Sequence, residues 1–222
     1  MVPIQDTGRT KGYAFVTYTL FFLLVVIYLW DREWQIFGPR IVFSDLAARP
    51  RDVISALEGG DKFPLVTLLT SAFLHANLPH IIFNLIFLAV FAPRVEDYFG
   101  GIKFMLYYLF WGVSAAMIQI WVNPSSGVPM LGSSGAIAVV MGAYLLLYPA
   151  SRIRVLIMPI FLSVEFRAWF LLSFWFLMQI FLVQPGVANW AHAGGFLIGM
   201  LIVILFRKKP QKLNKNVRAG YL

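Results

Sequence analysis

Gly132-Ser133-Ser134-Gly135-Ala136-Ile137-Ala138-Val139-Val140-Met141-Gly142-Ala143-Tyr144-Leu145-Leu146-Leu147-Tyr148 is the stretch on which the fold turns. Two serines between glycines open an uncharged apolar run that shows no strand-like alternation. Such a run satisfies its own backbone only as a helix, and a helix apolar on every side belongs in a large core or in lipid. Composition separates the two. Hydrophobic residues make up 60% of the 222, charged ones 13%, and mean hydropathy is +0.77. A soluble domain averages about 45–50% apolar and about 25% charged. The chain reads as an all-α integral membrane protein, a bundle rather than a barrel because its apolar runs are continuous.

Working outward, the apolar runs predict six spans in a single membrane domain: 13–30, 78–92, 102–122, 135–148, 166–183 and 190–206. Asn77 is a good N-cap for the second, with Pro79 tolerated in its first turn. Gly100-Gly101, Asn123-Pro124, Pro149 and Pro185-Gly186 punctuate the other joints. The net charge of +8 is no nucleic-acid signal, because six of the 18 basic residues form a tail (207–222) directly after the last span. A juxtamembrane basic cluster belongs on the cytoplasmic face, beside anionic lipid. Arg9 and Lys11, Arg94 and Lys103, and Arg152 and Arg154 occupy alternate connections on that same face. The third–fourth and fifth–sixth loops carry no charge, and the loop 31–63 holds five basic and six acidic residues. Both termini are therefore expected in the cytoplasm, with the chain in a bacterial-type plasma (inner) membrane. The first apolar run lacks a convincing small-residue cleavage site and reads as a retained span. The long first loop carries Ile36, Phe37, Ile41, Val42, Phe43, Leu46, Val53, Ile54 and Leu57, which predicts a partly folded cap rather than a solvated strand of chain.

This topology gathers the polar residues on the outer side. The second span enters from there with His75, His80 and Asn84, the fourth with Ser134 and the sixth with His192. Polar groups in lipid are a functional signal by default. The run 135–148 is about 21 Å long against about 30 Å of hydrocarbon, which sinks Ser134 below the outer surface and requires the loop before it to line a wet cavity. Gly135, Ala138 and Gly142 share one helical face, as do His192, Gly195 and Gly199. Facing stripes of small residues let two backbones approach closely, and this packing sets His192 beside Ser134.

Ser134 is the candidate nucleophile and His192 its general base, at a helix start whose free N–H groups favour a developing oxyanion. Ser133 is the adjacent competitor. His80 and Asn84, four residues apart, share a helical face and can both donate to a carbonyl oxygen; a capping or interhelical role is the plain alternative. His75 reads as a support for the first loop. No cofactor is expected and no metal: the outer ends of the spans hold no carboxylate, and there is no His-Glu-x-x-His run. The chain has no cysteine, which removes thiol chemistry and disulfides. Paired membrane aspartates are absent as well, and with no evident acid to orient His192 a Ser–His dyad is favoured over a triad.

Four motifs then resemble the rhomboid family of intramembrane serine proteases over residues 73–206. They are His75-x4-His80-x3-Asn84, Val95-Glu96-Asp97 with Gly100, Gly132-Ser133-Ser134-Gly135, and Ala191-His192-Ala193-Gly194-Gly195 with Gly199. The resemblance implies a six-helix rhomboid core with Ser134 as nucleophile and His192 as base. It also implies an oxyanion-stabilising set of His80, Asn84 and the Ser134 amide, and a structural Glu96. Partners would be transmembrane protein substrates within the lipid bilayer, cut in or near a membrane segment; oligomeric state is left open. Two positions depart from the family pattern: Phe63-Pro64 stands where many members carry Trp-Arg, and Ser133 where alanine is frequent. The alternative is a catalytically inactive relative that binds membrane clients, although such relatives usually lack the serine or the histidine.

Overall fold

The computed structural model describes residues 1–8, 10, 12–39, 43–184 and 186–206. The basic tail 207–222, together with Arg9, Lys11, Ile41 and Val42, lies outside the described residues. Strand β1 (Val2–Asp6) precedes α1 (Phe15–Trp30), and the first loop folds into α2 (Phe43–Leu46), α3 (Pro50–Leu57) and α4 (Phe63–Thr70). Then come α5 (Leu78–Phe99), α6 (Gly101–Val122), α7 (Ser134–Leu147), a hairpin of β2 (Arg152–Ile157) and β3 (Leu162–Arg167), α8 (Ala168–Phe181) and α9 (Asn189–Phe206). By length and composition α5, α6 and α9 are each able to cross a membrane, while α1, α7 and α8 are shorter apolar helices.

Helix α7 is the centre of the bundle. Every residue from Ala136 to Tyr144 is buried, and α5, α6 and α9 all pack against it. The closest pairing is with α9, through the two small-residue stripes. A Cβ on Gly142 would collide with the carbonyl of Phe196, and one on Gly199 with the carbonyl of Val139. A Cβ on Gly195 would stand 2.6 Å from the carbonyl oxygen of Gly135. Nothing but glycine fits at these crossings, so the spacing seen in the sequence sets the distance between the helices. Large apolar side chains such as Phe22, Phe110, Trp121 and Leu201 are exposed on the outside of the bundle, where a soluble protein would place polar ones.

Three elements differ from the sequence expectation. Helix α5 continues past Ala92 to Phe99, through Pro93 and the charged Glu96. The extension holds because Glu96 is buried against the start of α1: its carboxylate accepts from the N–H groups of Val16 (2.9 Å) and Thr17 (2.7 Å) and from the Thr17 hydroxyl (2.7 Å). Helix-terminal donors with no intrahelical partner compensate a buried charge. Second, the fold is not all-α: β1, β2 and β3 form an antiparallel sheet in that order. Val2 pairs with Leu156, and Arg152 with Arg167. Third, Phe166 belongs to β3, so α8 begins two residues later, at Ala168.

The sheet is tied to the bundle by Asp6. Its carboxylate accepts from the Tyr144 hydroxyl at 2.5 Å, the Ser151 hydroxyl at 3.0 Å and the Arg94 guanidinium at 3.2 Å. Ile153 and Val155 of β2 enter the core beside them. At the opposite end of α7, the cap is hydrogen-bonded to the loop that leads into Ser134. Ala48 and Met130 exchange backbone bonds of 3.2 and 2.7 Å, and the Arg51 N–H donates to the Ser126 carbonyl at 3.0 Å. The first loop is a folded cap, as its apolar content predicts.

Candidate active site

Two helix starts and one helix side build the site. Ser134 is the first residue of α7, after Gly132, whose φ of +107° turns the chain into the helix. The Ile137 N–H donates to the Ser133 carbonyl at 2.9 Å and opens the helical ladder, so the preceding N–H groups have no partner within the helix. His192 lies in the first turn of α9. That turn is held by Gln119 of α6, whose side-chain oxygen accepts from the N–H groups of Trp190 (3.0 Å) and Ala191 (3.4 Å).

The His192 Nε2 stands 2.7 Å from the Ser134 Oγ, a hydrogen-bonding distance. The other ring nitrogen, Nδ1, lies 2.8 Å from the Oε1 of Gln179 on α8. The indole of Trp175, one α8 turn before Gln179, sits beside the imidazole with ring centroids 5.9 Å apart. Ser134 and His192 face a cavity of about 540 Å³ that His80, Asn84, Gln119 and Trp175 also line. The structure thus brings together all four residues singled out in the sequence.

His80 and Asn84 sit on consecutive turns of α5. Asn77 caps this helix, its side-chain oxygen accepting from the His80 N–H at 2.9 Å, as the sequence predicts. The His80 Nδ1 accepts from the Ala76 N–H at 3.4 Å. A backbone N–H can only donate, so a neutral His80 carries its proton on Nε2. That Nε2 points toward Gly132, where a Cβ would stand 2.6 Å away. Asn84 is buried, and its amide donates to the His80 carbonyl at 2.9 Å, which leaves its second hydrogen for another acceptor.

Ser133 and His75 fall outside the cavity. Ser133 is fully buried, with its hydroxyl 3.5 Å from the His75 Nε2. Arg32, at the end of α1, donates to the carbonyls of His75 (2.8 Å) and Ala76 (3.2 Å) and so anchors the turn before α5. Burial first, and His80 second, push the His75 pKa down to about 3, so this imidazole is neutral at ordinary pH. Only the His75 backbone carbonyl meets Arg32 of the first loop, whereas its imidazole faces Ser133 and the His80 ring, 5.0 Å away between centroids. No group of three His, Cys, Asp or Glu side chains arranged to hold a metal occurs among the described residues.

Gln179 and Gln119 are the site residues that sequence reasoning missed. The one available signal was their polarity inside apolar runs: Gln179 shares α8 with a single other polar residue, Ser173.

Fold and site together define a helical protein of the membrane with a hydrogen-bonded serine and histidine at a cavity. Residues 62–209 match the Rhomboid domain, and the chain belongs to the rhomboid family. It is 30% identical over 159 residues to RHOMBOID-like protein 6, mitochondrial, of Arabidopsis thaliana, covering 70% of this chain and 47% of that protein. It is 28% identical over 162 residues to Rhomboid protease AarA of Providencia stuartii, covering 64% of this chain and 56% of that one. With Rhomboid-like protease 3 of Toxoplasma gondii the identity is 26% over 159 residues, covering 70% and 57%. The chain spans about half the length of the curated relatives it matches.

Proposed function

We propose that this integral membrane protein is a serine endopeptidase that cleaves transmembrane segments of other membrane proteins. The observation that carries the reading is the 2.7 Å contact between Ser134 Oγ and His192 Nε2 at the cavity. His192 takes the Ser134 proton as Oγ attacks the scissile carbonyl, and later returns a proton to the leaving amine. The oxyanion meets the Nε2–H of His80, the free hydrogen of the Asn84 amide and the N–H of Ser134 at the positive end of α7. Water then hydrolyses the acyl-enzyme by the same base. Helices α1, α5, α6, α7, α8 and α9 are the six spans of one membrane domain in this reading. Ser134 opens toward the face opposite the sheet, and both termini are cytoplasmic.

Cleavage of a model transmembrane substrate, paired with labelling by a fluorophosphonate, tests it. Ser134→Ala and His192→Ala are each expected to abolish cleavage, and Ser133→Ala to retain it. A Ser134→Ala protein that still cuts would end the serine mechanism.

A further inference from the structure

We propose that Gln179 is the positioning residue of the dyad: its Oε1 holds the Nδ1–H of His192 and so aims Nε2 at Ser134. The inference rests on the protease reading above.

Amide oxygen and nitrogen have nearly the same shape, so the hydrogen-bond network must fix which one faces the imidazole. Three backbone groups of known polarity do this. The Gln184 N–H donates to the Asn189 side chain at 3.3 Å, which makes that atom Oδ1. The Asn189 amide nitrogen then lies on the other side, donating to the Leu182 carbonyl at 3.4 Å and to the Gln179 side chain at 3.4 Å. The Gln179 atom that receives this bond, and the one facing His192, is therefore Oε1. Independently, the Gln179 Nε2 faces the Trp175 carbonyl at 3.4 Å, which can only accept. Both routes give the same orientation.

An acceptor 2.8 Å from Nδ1 puts the imidazole proton there and leaves the Nε2 lone pair for the Ser134 hydroxyl. With the amide reversed, its NH₂ would face Nδ1 and the ring proton would move to Nε2. His192 would then donate to Ser134 and be unable to take its proton. During attack the Oγ–carbon bond forms, the carbonyl electron pair moves to oxygen, and the Ser134 proton passes to Nε2. The resulting imidazolium keeps its Nδ1–H, now a charge-assisted donor to Gln179. When the leaving amine departs it takes the Nε2 proton. Gln179 exchanges no proton at any step. Trp175, one α8 turn earlier, flanks the ring, so one stretch of α8 sets both its tautomer and its plane.

The test begins with cleavage and fluorophosphonate labelling of the wild type. If it does neither, the protease reading fails and this inference falls with it. If it does both, Gln179→Leu is expected to lower kcat about 10- to 100-fold, the range for a hydrogen bond to a charged group. KM stays within about twofold, because the bond matters mainly in the transition state. Gln179→Glu keeps an acceptor at the same reach and restores most of the lost rate. A folded Gln179→Leu protein with wild-type kcat overturns the proposal, and so does equal loss in both variants. Histidine-selective 15N spectra of the wild type decide the matter even if the leucine variant misfolds. The chain has three histidines, and His192→Asn identifies the ring in question. A protonated Nδ1 with a bare Nε2 is expected; protonation at Nε2 overturns the proposal.

Discussion

Gly132 meets two demands that no other residue satisfies. Its φ of +107° is rarely open to an L side chain, and a Cβ would stand 2.6 Å from the His80 Nε2. Gly132→Ala is therefore expected to displace His80 or the Ser134 backbone, lowering kcat at least about tenfold while the helical circular-dichroism signal is kept. Asn84 makes a narrower claim. One hydrogen of its amide is spent on the His80 carbonyl, which leaves the other for an acceptor at the cavity that Asn84 lines. Asn84→Ala should lower kcat with little change in KM, by up to the roughly 10²–10³-fold seen when an oxyanion donor is removed. A loss nearer tenfold also fits, since His80 and the Ser134 N–H share the task. If Asn84→Ala and His80→Ala together leave kcat unchanged in a folded protein, the pair is structural only. His75 carries a pH signature of a different kind. It is neutral in the fold, with a pKa near 3, against about 6.5 when unfolded. Between those values the unfolded chain binds the extra proton, so this contribution to stability is complete above about pH 6.5 and fades as pH falls toward 3. Thermal unfolding in detergent at pH 7.5 and 4.5 checks it: His75→Asn should show a smaller acid loss of midpoint than the wild type.

At the scale of elements, the pairing of α7 with α9 was legible and the sheet was not. Glycine and alanine at helical spacing constrain a crossing through the backbone alone, and the structure places Gly142 under the Phe196 carbonyl and Gly199 under that of Val139. Gly199→Val would force these backbones apart. Overpacking of this kind typically costs about 1–3 kcal/mol, and the shift would also pull His192 away from Ser134. A lowered unfolding midpoint with a fall in kcat is expected. Leu201→Ala, on the exposed side of the same helix, should leave both nearly unchanged. The strand β2 does alternate, with Ile153 and Val155 buried beside more open arginines. Its sequence neighbours gave it the look of a charged loop, however, and its partner β1 lies about 150 positions away. No local period reveals such a pairing. Gln179 was missed for the same reason. Its role depends on Asn189 and on the polarity of three backbone groups, which exist only once α8 and α9 have docked. The extension of α5 to Phe99 was likewise hidden, because Glu96 is satisfied by N–H groups of α1.

The whole molecule is two-sided, with α7 as the rod between the sides. At the end where α7 starts, the cap and the 123–133 loop are joined through Ala48 and Met130. At the other, β1 and the β2–β3 hairpin are joined through the sheet and through Asp6. On the proposed six-span reading, the amino-terminal strand and the α7–α8 connection share one side of the membrane, and the first loop shares the other with Ser134. Which side faces the cytoplasm is a separate matter, and loop charge bears on it. Arg152, Arg154 and Arg167 lie on the sheet side, the first two paired with Glu165, whereas the two short loops opposite carry no charge. On the proposed topology the positive-inside rule puts the sheet side in the cytoplasm. The chain has no native cysteine, so single cysteines report without background. Glu58→Cys, exposed at the end of α3, should react with an impermeant maleimide added to intact cells, and Arg152→Cys only after the membrane is opened. The reverse pattern would turn the molecule over and place Ser134 toward the cytoplasm. Reaction of both in intact cells would mean that the two ends do not lie on opposite sides of a membrane, and the six-span reading would fall.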